Sequence, residues 1–252
     1  MTVHPPQTPL RIGLLQTGQN RAELAGFDQY PVLFDRLLNP AGAPRWCELV
    51  TYRVLDGIFP DDTDACAAYI VTGSAAGVYE AHDWIAPLMA FIQACYEADI
   101  PQLGICFGHQ AIAKALGGTV EKWHQGWGVG VRRMTICDQP DFLATDKDSL
   151  DLIYFHQDQV TKLPEGAVRL ATNTFCANGG FTLGQSVFCL QGHPEFDADY
   201  SAALLQAITA KVGEGRAAAG QASLDQPTDA AEVGSWIKAF FTTALAAKGQ
   251  AA

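Results

Sequence analysis

Three short apolar runs constrain the first half of the chain more than any other feature: Leu10–Leu15, Ala65–Val71 and Ile100–Ile105. Each stops abruptly, at Gln16-Thr17-Gly18, Thr72-Gly73-Ser74 and Cys106-Phe107-Gly108 respectively. Runs this short with no polar face are expected to be strands covered on both sides, the condition of a parallel sheet. Cys47–Val54 alternates in polarity and adds a further strand. Helical spacing separates these runs. Tyr30, Val32, Leu33, Phe34, Leu37 and Leu38 fall on one such stretch within Gly26–Leu38, before the breakers Asn39-Pro40. Trp84, Ile85, Leu88, Met89, Ile92 and Cys95 mark an amphipathic helix over Asp83–Tyr96, and Phe107–Leu116 a third helix, stopped by Gly117-Gly118. Strand alternating with helix predicts an open, mostly parallel, doubly wound α/β sheet with helices on both faces.

The second half changes character. Val120–Ile136, Leu152–Val160, Val168–Thr172 and Phe181–Leu190 are strand-like with few helices between, which predicts a small antiparallel addition and a return strand to the main sheet. A helix is expected near Tyr200–Lys211. The division that follows is a tail over residues 1–9, one domain over 10–212, an exposed linker over 213–229 rich in Gly, Ala, Gln and Asp, and a terminal helix over 230–252 packing on the same domain. Its apolar positions are Val233, Trp236, Ile237, Phe240, Phe241 and Leu245.

The junction Gly104-Ile105-Cys106-Phe107-Gly108-His109-Gln110 couples an apolar strand directly to a helix. A tight turn there lifts the central side chain off the carboxyl end of the sheet, and flanking glycines avoid collisions a Cβ would cause. The helix N-terminus behind Cys106 favours a thiolate, and the Phe107 N–H is positioned to serve an oxyanion. Taken alone, such a turn also fits a buried, inert cysteine. A second segment, Gln191-Gly192-His193-Pro194-Glu195-Phe196, tips the balance. Pro194 biases His193 toward extended backbone, so His193 and Glu195, two residues apart, project to the same side. A thiol nucleophile requires an imidazole base, and the base a third group to fix its tautomer, which predicts a Cys106-His193-Glu195 triad. His109, on the nucleophile's own helix, is expected to be structural. Trp123, His124 and Trp127 are expected as ordinary core or surface aromatics, with a leaving-group pocket as the alternative. The Thr72–Gly77 loop lacks the lysine and the glycine spacing of a phosphate cradle.

With these segments in place, the chain resembles class I, triad-type glutamine amidotransferases over nearly its whole length. It is most similar to stand-alone members like the amidotransferase unit of GMP synthase and to γ-glutamyl peptidases. The resemblance rests in order on Leu14-Leu15-Gln16, Val71-Thr72-Gly73-Ser74 with Val78-Tyr79-Glu80, the elbow, Gly117–Glu121, Gly126-Trp127, His156–Val160 and Gln191–Phe196. It implies a flavodoxin-like fold and a glutamyl thioester on Cys106, with His193 moving the proton and Glu195 orienting it. It also implies an oxyanion hole from backbone at Phe107 and at Gly73-Ser74, and substrate contacts from Gln110, His156, Asp158 and Tyr79. No metal and no cofactor is implied; His156-x-Asp158 lacks further ligands spaced nearby. The acceptor stays open: ammonia passed to a synthase partner, or a stand-alone peptidase acting on γ-glutamyl amines or glutathione-like conjugates. A non-catalytic or redox-sensing cysteine protein is the remaining alternative, and an intact His-Pro-Glu argues against it.

Composition sets the outer limits. The chain has 252 residues with 27 acidic and 16 basic side chains, a net charge of -11 and 48% hydrophobic residues. A chain of this size buries a substantial core, and its acidity repels nucleic acid and anionic lipid. Seven cysteines without a C-x-x-C pair are expected to be reduced thiols, mostly core filler. No run approaches membrane-spanning length and Met1–Pro9 carries no leader pattern, so a cytoplasmic location is expected.

Overall fold

A computed structural model describes residues 9–251. The predicted tail over 1–9 therefore lies almost wholly outside the described residues. The apolar runs become β1 (Leu10–Leu15), β3 (Ala68–Val71) and β4 (Gln102–Ile105), and the alternating run becomes β2 (Cys47–Tyr52). The helices between them are α1 (Tyr30–Leu38), α2 (Ile85–Glu97) and α3 (Phe107–Ala115). The second half supplies β5 (Thr119–Lys122), β6 (Gly128–Ile136), β7 (Ser149–His156), β8 (Asp158–Lys162), β9 (Val168–Thr172), β10 (Gly180–Leu183) and β11 (Val187–Leu190). Three of the four strand-like runs expected there are split, at Trp123–Trp127, at Gln157 and at Gly184–Ser186.

The main sheet has nine strands in the order β2-β1-β3-β4-β11-β10-β9-β6-β7. Its first five strands are parallel and the remaining four join antiparallel, while β5 and β8 form a separate antiparallel pair. The apolar runs are explained by what covers the parallel strands. Ile12, Leu14, Ile70, Leu103, Ile105, Phe188 and Leu190 enter one core, on the side of α1 and the terminal helix. Leu15, Tyr69, Val71, Val187 and Cys189 alternate with them into a second core under α2 and α3. Alternation serves two apolar layers here, so it leaves no polar face to see in the sequence.

The carboxyl end of the chain departs from expectation at one point. After α4 (Ala198–Val212), the stretch expected to be an exposed linker forms α5 (Glu214–Ser223), which packs against β6. Its buried residues are small: Ala217 and Gly220, where a Cβ on Gly220 would lie 2.9 Å from Val129 Cγ2. A helix docked through small residues carries no large-residue stripe, and its composition mimics a linker. The last helix, α6 (Ala230–Ala251), lies on α1 and lays Phe240 against Phe142 and Phe188, with ring centroids 5.3 and 5.6 Å away.

Candidate active site

Four adjacent parallel strands end at the same place. β1 runs out at Gln16–Gly18, β3 at Thr72–Ser74, β4 at Cys106 and β11 at Gln191–His193. The register Val71↔Gly104 and Leu190↔Ile105 sets the β3 and β11 ends on either side of the thiol. Ligands of open α/β sheets sit in this crevice beyond the carboxyl ends of the strands. Here it is a cleft of about 470 Å³ lined by Cys106, His193, Phe196, Ser74, Gln110 and Asp158 among others.

Cys106 holds φ +54° and ψ -101°, outside the regions that residues with a Cβ ordinarily occupy. The turn is possible because its flanks have no side chain. A Cβ at Gly104 would sit 2.6 Å from the Gly108 carbonyl carbon, and one at Gly108 would collide with the Val71 carbonyl of β3. The Gly108 N–H bonds the Thr72 carbonyl at 3.1 Å, which locks the first turn of α3 to the end of β3. The Phe107 N–H belongs to the same first turn, where no preceding turn supplies a carbonyl.

His193 is fixed from four directions. Its backbone N–H bonds Ile153 O of β7 at 2.7 Å, and its Nδ1 lies 2.7 Å from Glu195 Oε1. Phe196 stacks on the ring at 4.2 Å and 5°, and Gly73 lies against its Cε1: a Cβ there would be 3.0 Å from His193 Cε1 and 3.8 Å from Cys106 Cβ. His193 forms a single β-bridge to Ile153 and Pro194-Glu195 make a turn, so the carboxylate reaches the ring across a turn and not along the extended run expected; both residues are buried. Burial works against a charged imidazole, but the Glu195 carboxylate and the Cys106 thiol outweigh it and carry His193 up to about 10. Cys106 Sγ points at the Phe155 carbonyl, 3.9 Å away.

The other expected residues are gathered on one wall. Tyr79, half exposed, donates its hydroxyl to Asp158 Oδ1 at 2.9 Å. His156 Nδ1 lies 2.9 Å from the Asp158 carbonyl, and burial pushes this imidazole down to about 4. Gln110 lines the cleft, yet its Nε2 is held inside the protein by Asp158 O at 2.9 Å and Gln191 Oε1 at 3.0 Å. His109 turns into the core beside Phe181, 3.2 Å from the same Gln191 oxygen, and burial pushes it down to about 3. Trp127 lines the cleft, whereas Trp123 and His124 pack on one another at 4.5 Å. Among the described residues no group of three or more His, Cys, Asp or Glu is arranged to hold a metal ion.

Sequence reasoning passed over four contributors. Thr17 is buried and ties the β1 end to the Gly73 loop, donating its N–H to Thr72 Oγ1 at 3.0 Å and its hydroxyl to Thr72 O at 2.9 Å. Gln191 organises the two side chains of α3 just described. Tyr30 and Tyr200 back the Phe196 ring, with centroids 6.0 and 4.5 Å from it. For Thr17 and Gln191 the available signal is position: each is a polar residue at the end of an apolar run.

Comparison with known proteins converges on the same family. Residues 60–207 match the model of the glutamine amidotransferase class-I family. Gamma-glutamyl peptidase 3 of Arabidopsis thaliana is 36% identical over 156 residues, covering 59% of this chain and 63% of that protein. The glutamine-hydrolyzing GMP synthase of Ralstonia pickettii is 33% identical over 159 residues, covering 60% of this chain and 28% of the synthase. The match therefore spans less than two thirds of these relatives' length. A solved glutamine amidotransferase from Thermotoga maritima superposes with a TM-score of 0.71 at 17% identity, covering 94% of this chain and 99% of that one. One from Methylobacillus flagellatus gives 0.69 at 19% identity, covering 94% of each chain, so the architecture is shared throughout. With more than half of its residues in the family match and the family's architecture across its length, the chain belongs to the class-I glutamine amidotransferases.

Proposed function

We propose that the protein hydrolyses γ-glutamyl amide bonds through a thioester on Cys106. The observation that carries this reading is the strand-end convergence of Cys106 with a His193 held at 2.7 Å by a buried Glu195. In this scheme Cys106 Sγ attacks the γ-carbonyl carbon as a thiolate, its proton already held by His193. The oxyanion that forms is stabilised by the Phe107 N–H and by backbone of Gly73-Ser74. His193 then protonates the departing nitrogen, the C–N bond breaks, and ammonia or an amine leaves. Water, deprotonated by His193, cleaves the thioester and releases glutamate. Glu195 keeps the ring oriented and balances its charge. Gln110, His156, Asp158 and Tyr79 form the wall that receives the glutamyl group.

A stand-alone γ-glutamyl peptidase role is favoured over ammonia supply to a synthase subunit by the cleft. At about 470 Å³ it falls in the range that holds drug-sized ligands, with room for an amine larger than ammonia. The seven free cysteines, six of them buried and Cys137 exposed, suit a reducing compartment, and we place the reaction in the cytoplasm. Among the described residues no helix is long and apolar enough to cross a membrane.

The test is glutamate release by the purified chain from glutamine and from a panel of γ-glutamyl amines and γ-glutamyl dipeptides. The expected result is turnover without added protein, faster on the larger amides, and a loss of at least ~10³-fold in Cys106→Ala. Undiminished turnover in Cys106→Ala would sink the enzymatic reading. Turnover of glutamine alone, and only with a synthase present, would overturn the peptidase reading.

A further inference from the structure

A second cavity, about 230 Å³, lies between β6 and α5, apart from the catalytic cleft. Arg132 and Arg216 both open onto it, over a floor that includes Val129, Val131 and Gly220. Arg132 is half-buried. Its guanidinium lies 4.8 Å from the centroid of the Phe175 ring, and its Nε is buried with no hydrogen-bond partner. Arg216 gives one Nη to the Gln125 carbonyl at 2.5 Å and rests on Gly126, where a Cβ would overlap its guanidinium. Neither arginine joins a salt bridge among the described residues.

That arrangement runs against the composition. With 27 acidic side chains to 16 basic ones, an arginine meets a carboxylate far more readily than another arginine. Here burial and the neighbouring Arg216 both work against the charge on Arg132, and no carboxylate offsets them. Ser223, the polar group beside them, is already committed: it accepts from Val131 N–H at 2.8 Å and donates to Gly220 O at 2.6 Å. Two arginines without a carboxylate partner thus line one small volume, and guanidinium groups match the paired oxygens of carboxylates and phosphates.

We propose that this cavity binds a small oxyanion, the carboxylate or phosphate group of a free metabolite, between Arg132 and Arg216. The site is separate from the reaction assigned to Cys106 and stands or falls without it. One segment connects the two. Arg216 anchors Gln125 and Gly126, and the next residue, Trp127, lines the catalytic cleft.

The experiment is calorimetric titration and thermal unfolding of the full chain with inorganic phosphate, against sodium chloride at matched ionic strength. Phosphate is expected to bind saturably and to raise the unfolding midpoint where chloride does not. Arg216→Gln and Arg132→Gln should each weaken phosphate by at least ~10-fold, the effect of losing one charge-assisted fork. Arg216 is exposed, so Arg216→Gln reports on the site even if Arg132→Gln fails to fold. A shift matched by sodium chloride, or phosphate binding unchanged in Arg216→Gln, would overturn the proposal; the latter result would place the anion in the catalytic cleft, beside Lys122 and Lys211.

Discussion

Gly73→Ala tests whether the imidazole of His193 is held by contact as tightly as the geometry requires. The added methyl would sit 3.0 Å from His193 Cε1, where relaxed carbon contacts are about 3.5–4.0 Å, so one partner must yield by roughly 0.5–1 Å. The backbone at Gly73 has no positive φ, so alanine is not strained there and the effect is steric. The ring has nowhere to retreat. Phe196 is stacked on it at 4.2 Å, and Glu195 holds Nδ1 at 2.7 Å. Overpacking of this kind costs about 1–3 kcal/mol, offset by about 0.4–1 kcal/mol from the stiffer unfolded chain. The net cost of about 0.6–2 kcal/mol, at about 2–4 °C per kcal/mol for a chain of this size, should lower Tm by about 1–8 °C. Displacing a catalytic group by about 1 Å costs about 10²-fold, so kcat for glutamate release should drop by that order with KM little changed. Adding Phe196→Leu opens space behind the ring and should restore most of the Tm while kcat stays low, since the ring is then free but loosely aimed. A Gly73→Ala protein with wild-type kcat would refute the reasoning, whatever its Tm.

Three further outcomes follow from the same geometry. Near neutral pH, iodoacetamide should label Cys106 ahead of Cys47 and Cys176, whose thiols burial pushes up to about 11 and about 12; faster labelling of either would contradict activation at the elbow. His109 and His156, held neutral by burial at about 3 and about 4, bind protons only when the chain unfolds. Their contribution is therefore intact above about pH 6.5 and lost as pH falls from there toward 4, and His156→Gln should flatten the acid limb of a Tm-against-pH curve. His193 has the opposite sign. Raised to about 10, it contributes stability that is full below about pH 6.5 and lost as pH rises through 10; Glu195→Gln should remove much of that alkaline loss and lower kcat by about 10³–10⁴. An alkaline limb unchanged in Glu195→Gln would show that the carboxylate is not what holds the charge.

The parts of the site that the sequence made legible are those built by local geometry. Gly104, Cys106 and Gly108 must form a turn of a particular shape because each neighbour's Cβ is excluded by chain within a few residues or by the strand alongside. His193 and Glu195 meet because they are two residues apart, although the structure joins them through a turn at Pro194-Glu195 where the sequence predicted extended backbone. What stayed hidden depends on partners distant in sequence. Nothing around Gln110 indicates that its amide is held by Gln191 and the Asp158 carbonyl, or that Thr17 would pin the Gly73 loop. Nor does the composition of Gly213–Asp229 reveal α5, because its docking residues are small and its helix is recognised only against β6.

By itself, then, the sequence determined that strands alternate with helices, that apolar runs lie covered on both faces, and that a thiol and a carboxylate-held imidazole each occupy a strand end. These follow from periodicity and from sterics over a few residues. Only the tertiary structure decided that β11 inserts beside β4, which carries His193 to Cys106 across the intervening antiparallel strands, and that four strand ends share one cleft. Strand order is decided by which pairings bury both cores and satisfy the backbone at once, a condition on the whole sheet that no single segment encodes.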